Sequence, residues 1–304
     1  MQRGFNNQYN YINRYYYVHI VIFSVLNVFF FYSFPPGLEI ILYYLPGLIL
    51  FISPKFSLIC LSFIYFLAVT IFNFGWQTVP WGLAMILASL PTTLIVSTFL
   101  HNAAHKNFFN NGLVSRIMGE ACAVFQLVGF PDWHIVHNMH HRYSDEVEND
   151  PHPTQGLTFW QFLNSFKTTI GQPLRRNYFE RHGENEKTRK TWAQLSYVLP
   201  VNQLLKALFW FLVLGPVVFS FFFVATIVNK NLLYADFNYS THASDDDTVE
   251  IKNLDNNLFY RIVNKTCFGL YFHKNHHLNP NLFDPRKYVA AEDRVIPSYQ
   301  DAAE

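Results

Sequence analysis

The sequence predicts an all-α integral membrane protein of about six transmembrane helices, four in a row and then a short hairpin. A cytoplasmic helical cap carries a histidine metal site. Three observations predict this. Apolar residues make up 51% of the chain and charged residues 14%, against about 25% in soluble domains. Charge is also segregated: between Arg14 and Lys106 the only basic residue is Lys55 and the only acid Glu39. A soluble fold would expose too much apolar surface with so long an uncharged tract. Finally, His137-Asn-Met-His140-His141 and His273-Lys-Asn-His276-His277 both spell His-x-x-His-His, and His101 and His105 are four residues apart. On a helix, positions i, i+3 and i+4 share one face, so each triplet converges its imidazoles on one point.

Taken in order, residues 1–14 are polar and read as a short cytoplasmic tail. A first span over about 15–34 ends at Pro35-Pro36 and is long enough to cross a bilayer. Spans over 38–53 and 56–74 follow, the first interrupted by Pro46-Gly47, and a fourth over 80–100 places His101 at its end. Residues 101–193 form the first part of the cap. Within it, Ala121–Phe130 is apolar but too short to cross, and it reads as packed under the site or dipping into the interface. Phe159, Leu163, Phe166 and Ile170 recur at helical spacing, as in a helix lying on the membrane surface. The basic cluster Arg175, Arg176, Arg181, Lys187, Arg189 and Lys190 reads first as a solvated face near anionic lipid. Its functional reading is a dock for an acidic carrier.

Residues 194–228 hold Gly215-Pro216 near their middle. One span here would put His273 across the membrane from His101 and His137. A hairpin over 195–213 and 216–229 keeps every box on the cytoplasmic side, with 230–304 completing the cap. The external loops then carry no Lys or Arg, as the positive-inside rule requires. The whole chain, 1–304, reads as one multi-pass domain with its N-terminus and site facing the cytoplasm. A net charge of +1 argues against a nucleic-acid partner. Cys60, Cys122 and Cys267 have no metal-motif or disulfide spacing, and no secretory signal is expected.

Imidazoles without thiolates suit Fe, Zn or Cu rather than Mg or Ca. Eight or nine histidines are too many for one ion and enough for two. The His-Glu-x-x-His pattern of zinc hydrolases is absent. Two irons held mostly by imidazole can bind and reduce dioxygen, giving an oxidant for an unactivated C–H bond. At a membrane face, such an oxidant suits a long apolar substrate. A bis-imidazole haem protein would instead pair histidines across spans, and a metal transporter would hold its ion near the midplane.

With these boxes the chain resembles the integral-membrane fatty acid desaturase superfamily, which has three histidine boxes and a diiron centre. Asn238-Tyr-Ser-Thr-His242, Asp150-Pro-His152 and His277-Leu-Asn-Pro280 look similar to family elements as well. The resemblance implies His101, His105, His137, His140, His141, His242, His273, His276 and His277 as iron ligands. It places Asn238 beside them, holding a metal-bound water. His134, three residues before His137, reads as a supporting or packing residue rather than a ligand. The implied activity is O2-dependent formation of a double bond in a fatty acyl chain. The alternative is a diiron hydroxylase or oxygenase acting on an alkyl, acyl or carotenoid substrate, because the first box, with three intervening residues, occurs in both. Substrate partners would be acyl-CoA, acyl-carrier protein or an acyl lipid. No cytochrome b5 tail is visible, so electrons would come from a separate ferredoxin, rubredoxin or cytochrome b5-type donor.

Overall fold

The computed structural model of the chain describes residues 2–34, 37–109, 111–242 and 250–290. Among the described residues it is all-helical, with one isolated bridge between Asn253 and Phe272. Backbone polar groups cannot be left unpaired in hydrocarbon, and a helix pairs its own.

Four helices open the chain: α1 (Gln2–Ser33), α2 (Leu38–Phe51), α3 (Phe56–Phe74) and α4 (Val79–Ala104). Helix α1 begins at Gln2, so residues 2–14 are helical and continuous with the first apolar stretch. Pro35 and Pro36, expected to end the first span, lie outside the described residues. Four stretches are long and apolar enough to cross a membrane: Arg14–Ser33, Phe56–Phe74, Trp76–Ala104 and Glu186–His242. In the first, only 17% of the apolar window is buried inside the protein, so most of its side chains face outward, as in a lipid-facing helix. Helix α2 has 14 residues, about 21 Å, shorter than a hydrocarbon core of about 30 Å. It packs Tyr44, Leu48 and Phe51 into an aromatic core with Phe66, Phe211, Phe219 and Phe223. Within that core the Thr70 hydroxyl donates to Ser220 at 2.8 Å, a polar tie between helices that apolar packing alone would not orient.

Next come α5 (Gly112–Phe125) and α6 (Phe130–Tyr143), bent against each other by 101°. The break falls within the apolar stretch Ala121–Phe130, and Gln126, Leu127, Val128 and Gly129 line the same cavity as His101 and His137. Gly119 permits the bend: a Cβ there would collide with the Phe130 ring. The carbonyls at the break find side-chain donors, since the helix ladder no longer serves them. Trp210 Nε1 donates to Val124 O at 3.2 Å, Lys230 Nζ to Gln126 O at 3.0 Å and Lys206 Nζ to Val128 O at 2.9 Å. Gly119→Val is expected to destabilise the protein by about 1–3 kcal/mol through overpacking. A lowered melting temperature of the detergent-solubilised protein would register it; an unchanged one would mean that this contact does not set the bend.

Helix α7 (Phe159–Thr169) starts at a capping box in which Thr158 and Gln161 bond each other's backbone N–H. Its apolar face does not lie on a membrane surface. Phe162, Leu163 and Phe166 are buried together with Ala235, against Leu232 and Tyr239 of a later helix. The periodicity was real, but a protein surface covers that face. Helices α8 (Gly171–His182) and α9 (Glu186–Val218), a π-turn over Phe219–Phe223, and α10 (Val224–His242) follow. Helix α9 starts at Glu186, so Lys187, Arg189 and Lys190 occupy its first turns and Arg189 pairs with Glu184 at 3.1 Å.

The chain reverses within 186–242. Gly215 has φ 72° and ψ 163°, a backbone conformation that side-chain-bearing residues rarely adopt. In an unbroken helix Lys206 and Lys230 would stand about 36 Å apart. Instead both reach the 126–128 loop, and the Trp210 and Phe223 rings lie 5.6 Å apart. The hairpin expected at Gly215-Pro216 is therefore present. It returns α10 to the side of the molecule where α4 ends. Two short helices, α11 (Leu258–Thr266) and α12 (His273–Leu278), complete the described chain.

Candidate metal centre

Four helices deliver the histidines. His101 lies in the last turn of α4 and His105 is its C-cap residue. His137, His140 and His141 share one face of α6, and His242 is the last residue of α10. His273, His276 and His277 come from α12, only six residues long and therefore dependent on tethers. The Asn275 N–H donates to Asn253 Oδ1 at 3.2 Å, and Asn275 Nδ2 donates to Pro285 O at 3.1 Å. The Asn253–Phe272 bridge holds the entry to the helix.

The nine side chains form two groups. His101, His105, His137, His141 and His276 make one; His140, His242, His273 and His277 make the other. Within each group the nearest ring nitrogens lie within 4.8 Å of one another. In the first, Nε2–Nε2 separations are 2.7 Å for His105–His137, 3.2 Å for His137–His141 and 3.0 Å for His141–His276. In the second they are 3.2 Å for His140–His242, 2.9 Å for His242–His273 and 3.1 Å for His273–His277. Each α-helical triplet is split: His137 and His141 face one group while His140 faces the other, and His276 parts from His273 and His277 in the same way. Sequence reasoning placed each triplet on a single point; the structure divides it between two.

The donor set fits a pair of cations. Imidazole nitrogens about 2.1 Å from a metal, at right angles around it, stand about 3.0 Å apart, close to these separations. Tautomers sharpen the argument. His140 Nδ1 lies 3.0 and 3.1 Å from the two Asp150 oxygens, and His242 Nδ1 lies 3.0 Å from Asp145. Carboxylates only accept, so each ring keeps its proton on Nδ1 and turns the Nε2 lone pair inward. Two such lone pairs then face each other at 3.2 Å, an arrangement that a cation between them relieves. In the other group, His101 Nε2 is buried with no hydrogen-bond partner. Burial, with the neighbouring imidazoles, pushes His105 and His277 down to about 2. It holds His141 and His276 well below the ordinary histidine value for the same reasons, so all four are neutral donors at neutral pH.

Asp150 is fully buried and organises the loop after box two. Besides His140, it accepts from the Asp145 and His152 backbone N–H groups, each at 2.8 Å. Burial opposes its charge, but the charge and hydrogen bond of His140 outweigh that and hold its pKa at about 2. Asp145 was not singled out from sequence, and Asp150 stood out only within the family-like element Asp150-Pro-His152, with no role given to it. The signal available was their position in the loop that follows a histidine triplet. His134 lies outside both groups, and its carbonyl accepts from Asn138 at 2.7 Å. Asn238 is buried and donates to Tyr234 O at 2.8 Å. Trp133, also unanticipated, stacks on His137 with ring centroids 5.6 Å apart.

A cavity of about 670 Å³ opens beside both groups. Its walls are mostly apolar, including Phe51, Leu127, Ile135, Leu174, Leu199 and Phe237, and His101, His137, His140 and His273 border it with Asn238. That volume lies within the range for one bound small ligand.

Apolar helices of bilayer-spanning length mark an integral membrane protein, and two groups of histidines compatible with a pair of metal ions lie beside its cavity. The chain belongs to the fatty acid desaturase family, which it matches over residues 75–286. It is 36% identical over 99 residues to the Delta-9 desaturase-like 4 protein of Arabidopsis thaliana, covering 32% of each chain. It is 29% identical over 73 residues to the sn-1 oleoyl-lipid 12-desaturase of Picosynechococcus sp., covering 23% of this chain and 21% of that protein. The matched stretches thus span about a third or less of these relatives. No solved structure matches the chain.

Proposed function

We propose that the chain is an O2-dependent diiron desaturase that introduces a double bond into a fatty acyl chain. One observation carries the reading: two groups of imidazole donors border a single apolar cavity. His101, His105, His137, His141 and His276 would hold one iron, and His140, His242, His273 and His277 the other. Bound together, the two irons supply the means to reduce O2 with two electrons and remove hydrogen from unactivated C–H bonds. Overall, two substrate hydrogens, two protons and two electrons convert O2 to two waters and leave an alkene. The protein's part is to hold neutral imidazoles by burial, orient His140 and His242 through Asp150 and Asp145, and keep acyl methylenes beside the site in a water-poor cavity. Asn238, which borders that cavity, would hold a water beside the metals.

Substrate would enter as acyl-CoA, acyl-carrier protein or an acyl lipid. Electrons would come from a separate ferredoxin, rubredoxin or cytochrome b5-type protein. The same reading takes 1–304 as one domain of about six spans. Its N-terminus and histidine cap face the cytoplasm, supported by the confinement of Lys and Arg to that side.

Turnover in 18O2 is the test. Acyl products should gain a double bond and no label, and purified protein should hold about two irons per chain without a Soret band. Label retained in the lipid product would overturn the desaturase assignment in favour of hydroxylation.

A further inference from the structure

The apolar cavity contains two cationic side chains that the iron chemistry leaves unexplained. Lys167, on α7, and Lys230, on α10, both line it. Lys230 uses one of its three N–H donors on the Gln126 carbonyl at 3.0 Å. Lys167 has neither a hydrogen bond nor an ion pair among the described residues. Burial first, then the Lys230 charge, holds Lys167 well below the ordinary lysine value. Asp132 is the one carboxylate on the cavity wall, and the cation acting on it is Lys206. Beside Lys230, Asn231 is 1% exposed, and its Oδ1 is buried without a partner.

A pair of half-buried lysines with no carboxylate partner is costly in an apolar cavity, which does not need one. An anion arriving with the ligand removes the cost. We propose that Lys167 and Lys230 form the head-group end of this cavity and bind the anionic oxygen of a single-chain acyl ligand, a carboxylate or a phosphate monoester. This deepens the desaturase reading and rests on it for the identity of the chain as acyl. Asn231 Oδ1 then accepts a hydrogen bond from a lysine drawn toward the anion or from a donor on the head. Eight residues of α10 separate Lys230 from Asn238 and twelve separate it from His242, about 12 and 18 Å along the helix. A head held at the lysines therefore brings carbons well down the chain to the histidines, and the lysine pair acts as a ruler for the bond attacked.

Binding without turnover tests this. Radiolabelled palmitate, 1-palmitoyl-lysophosphatidate and methyl palmitate would be titrated against the purified full chain in a non-ionic detergent. Methyl palmitate has the same chain and no charge. At least one anionic ligand should bind about tenfold or more tightly than methyl palmitate, and whichever gains more identifies the head. Equal affinity of all three for the unmutated protein overturns the proposal, whatever any variant does. Lys167→Met and Lys230→Met keep the apolar stems. Each should lose that preference while binding methyl palmitate as before, and Lys167→Arg should retain it. A preference that survives both methionine variants would also overturn the assignment. No electron donor is involved, so a chain that hydroxylates would still show the preference. Conversely, a chain that desaturates without it keeps its function and loses only this site.

Discussion

His140→Ala and His276→Ala are each expected to reduce turnover below about 1% of the unmutated protein, with the chain still inserted in the membrane. The two differ in group. His276 belongs to the five-histidine set, so its removal should leave the four-histidine set able to hold metal and lower the iron content from about two toward one per chain. His140 belongs to the smaller set and is the ring aligned by Asp150, so its loss also leaves a buried carboxylate without the Nδ1–H donor it faces. That second deficit should appear as reduced thermal stability as well as lost iron. Such a stranded charge costs several kcal/mol where nothing else compensates it. Insertion is retained because the histidines lie at helix ends and in short helices rather than in the lipid-facing windows. Metal analysis, membrane fractionation and product chromatography check all three points. Robust turnover by either variant would remove these residues from the ligand set.

Asp150→Asn should lower iron affinity or turnover by about 10–100-fold, although Asp150 belongs to neither donor group itself. An asparagine of the same shape offers an N–H where the carboxylate offered only lone pairs. Facing His140 Nδ1, that N–H favours the opposite tautomer, with the proton on Nε2 where a lone pair is needed. The two backbone N–H groups that Asp150 now satisfies, at Asp145 and His152, would also compete for a single remaining oxygen. The acid limb follows from the same pair. With a folded pKa of about 2, below the ordinary carboxylate value, Asp150 contributes stability above the ordinary value that is lost as pH falls toward 2. Competition with a chelator, run on both proteins at neutral pH, measures the affinity change. Unchanged iron retention and unchanged product yield would show that His140 needs no carboxylate to set its tautomer.

The fold was legible in the sequence where one-dimensional pattern is the cause of structure. Long uncharged apolar runs become helices of bilayer length because hydrocarbon leaves the backbone no other partners. The Gly215 hairpin was legible too, but through chemistry rather than propensity: His242 and His273 could join His137 only if the chain turned back. Less was legible where a partner surface decides. The face of α7 carrying Phe162, Leu163 and Phe166 has the period of a membrane-surface helix, yet α10 covers it. Period reports that a face is buried and is silent about what buries it. The 101° bend between α5 and α6 depends on side chains from residues 206, 210 and 230, far along the chain from the carbonyls they cap.

The site divides in the same way. By itself the sequence picked out the candidate donors, since the i, i+3, i+4 spacing fixes which imidazoles can share a helix face, and it placed the first of them at the end of an apolar span. Only the tertiary structure decided how the nine histidines are divided. Neighbouring rings on one helix diverge by about 100° per residue, and helices from four parts of the chain meet them from different sides. Hence His140 and His141, adjacent in sequence, belong to different groups. The carboxylates behind His140 and His242, and the lysine pair in the cavity, were likewise decided by where the chain returns. Contacts between distant residues carry no periodic trace in a single sequence.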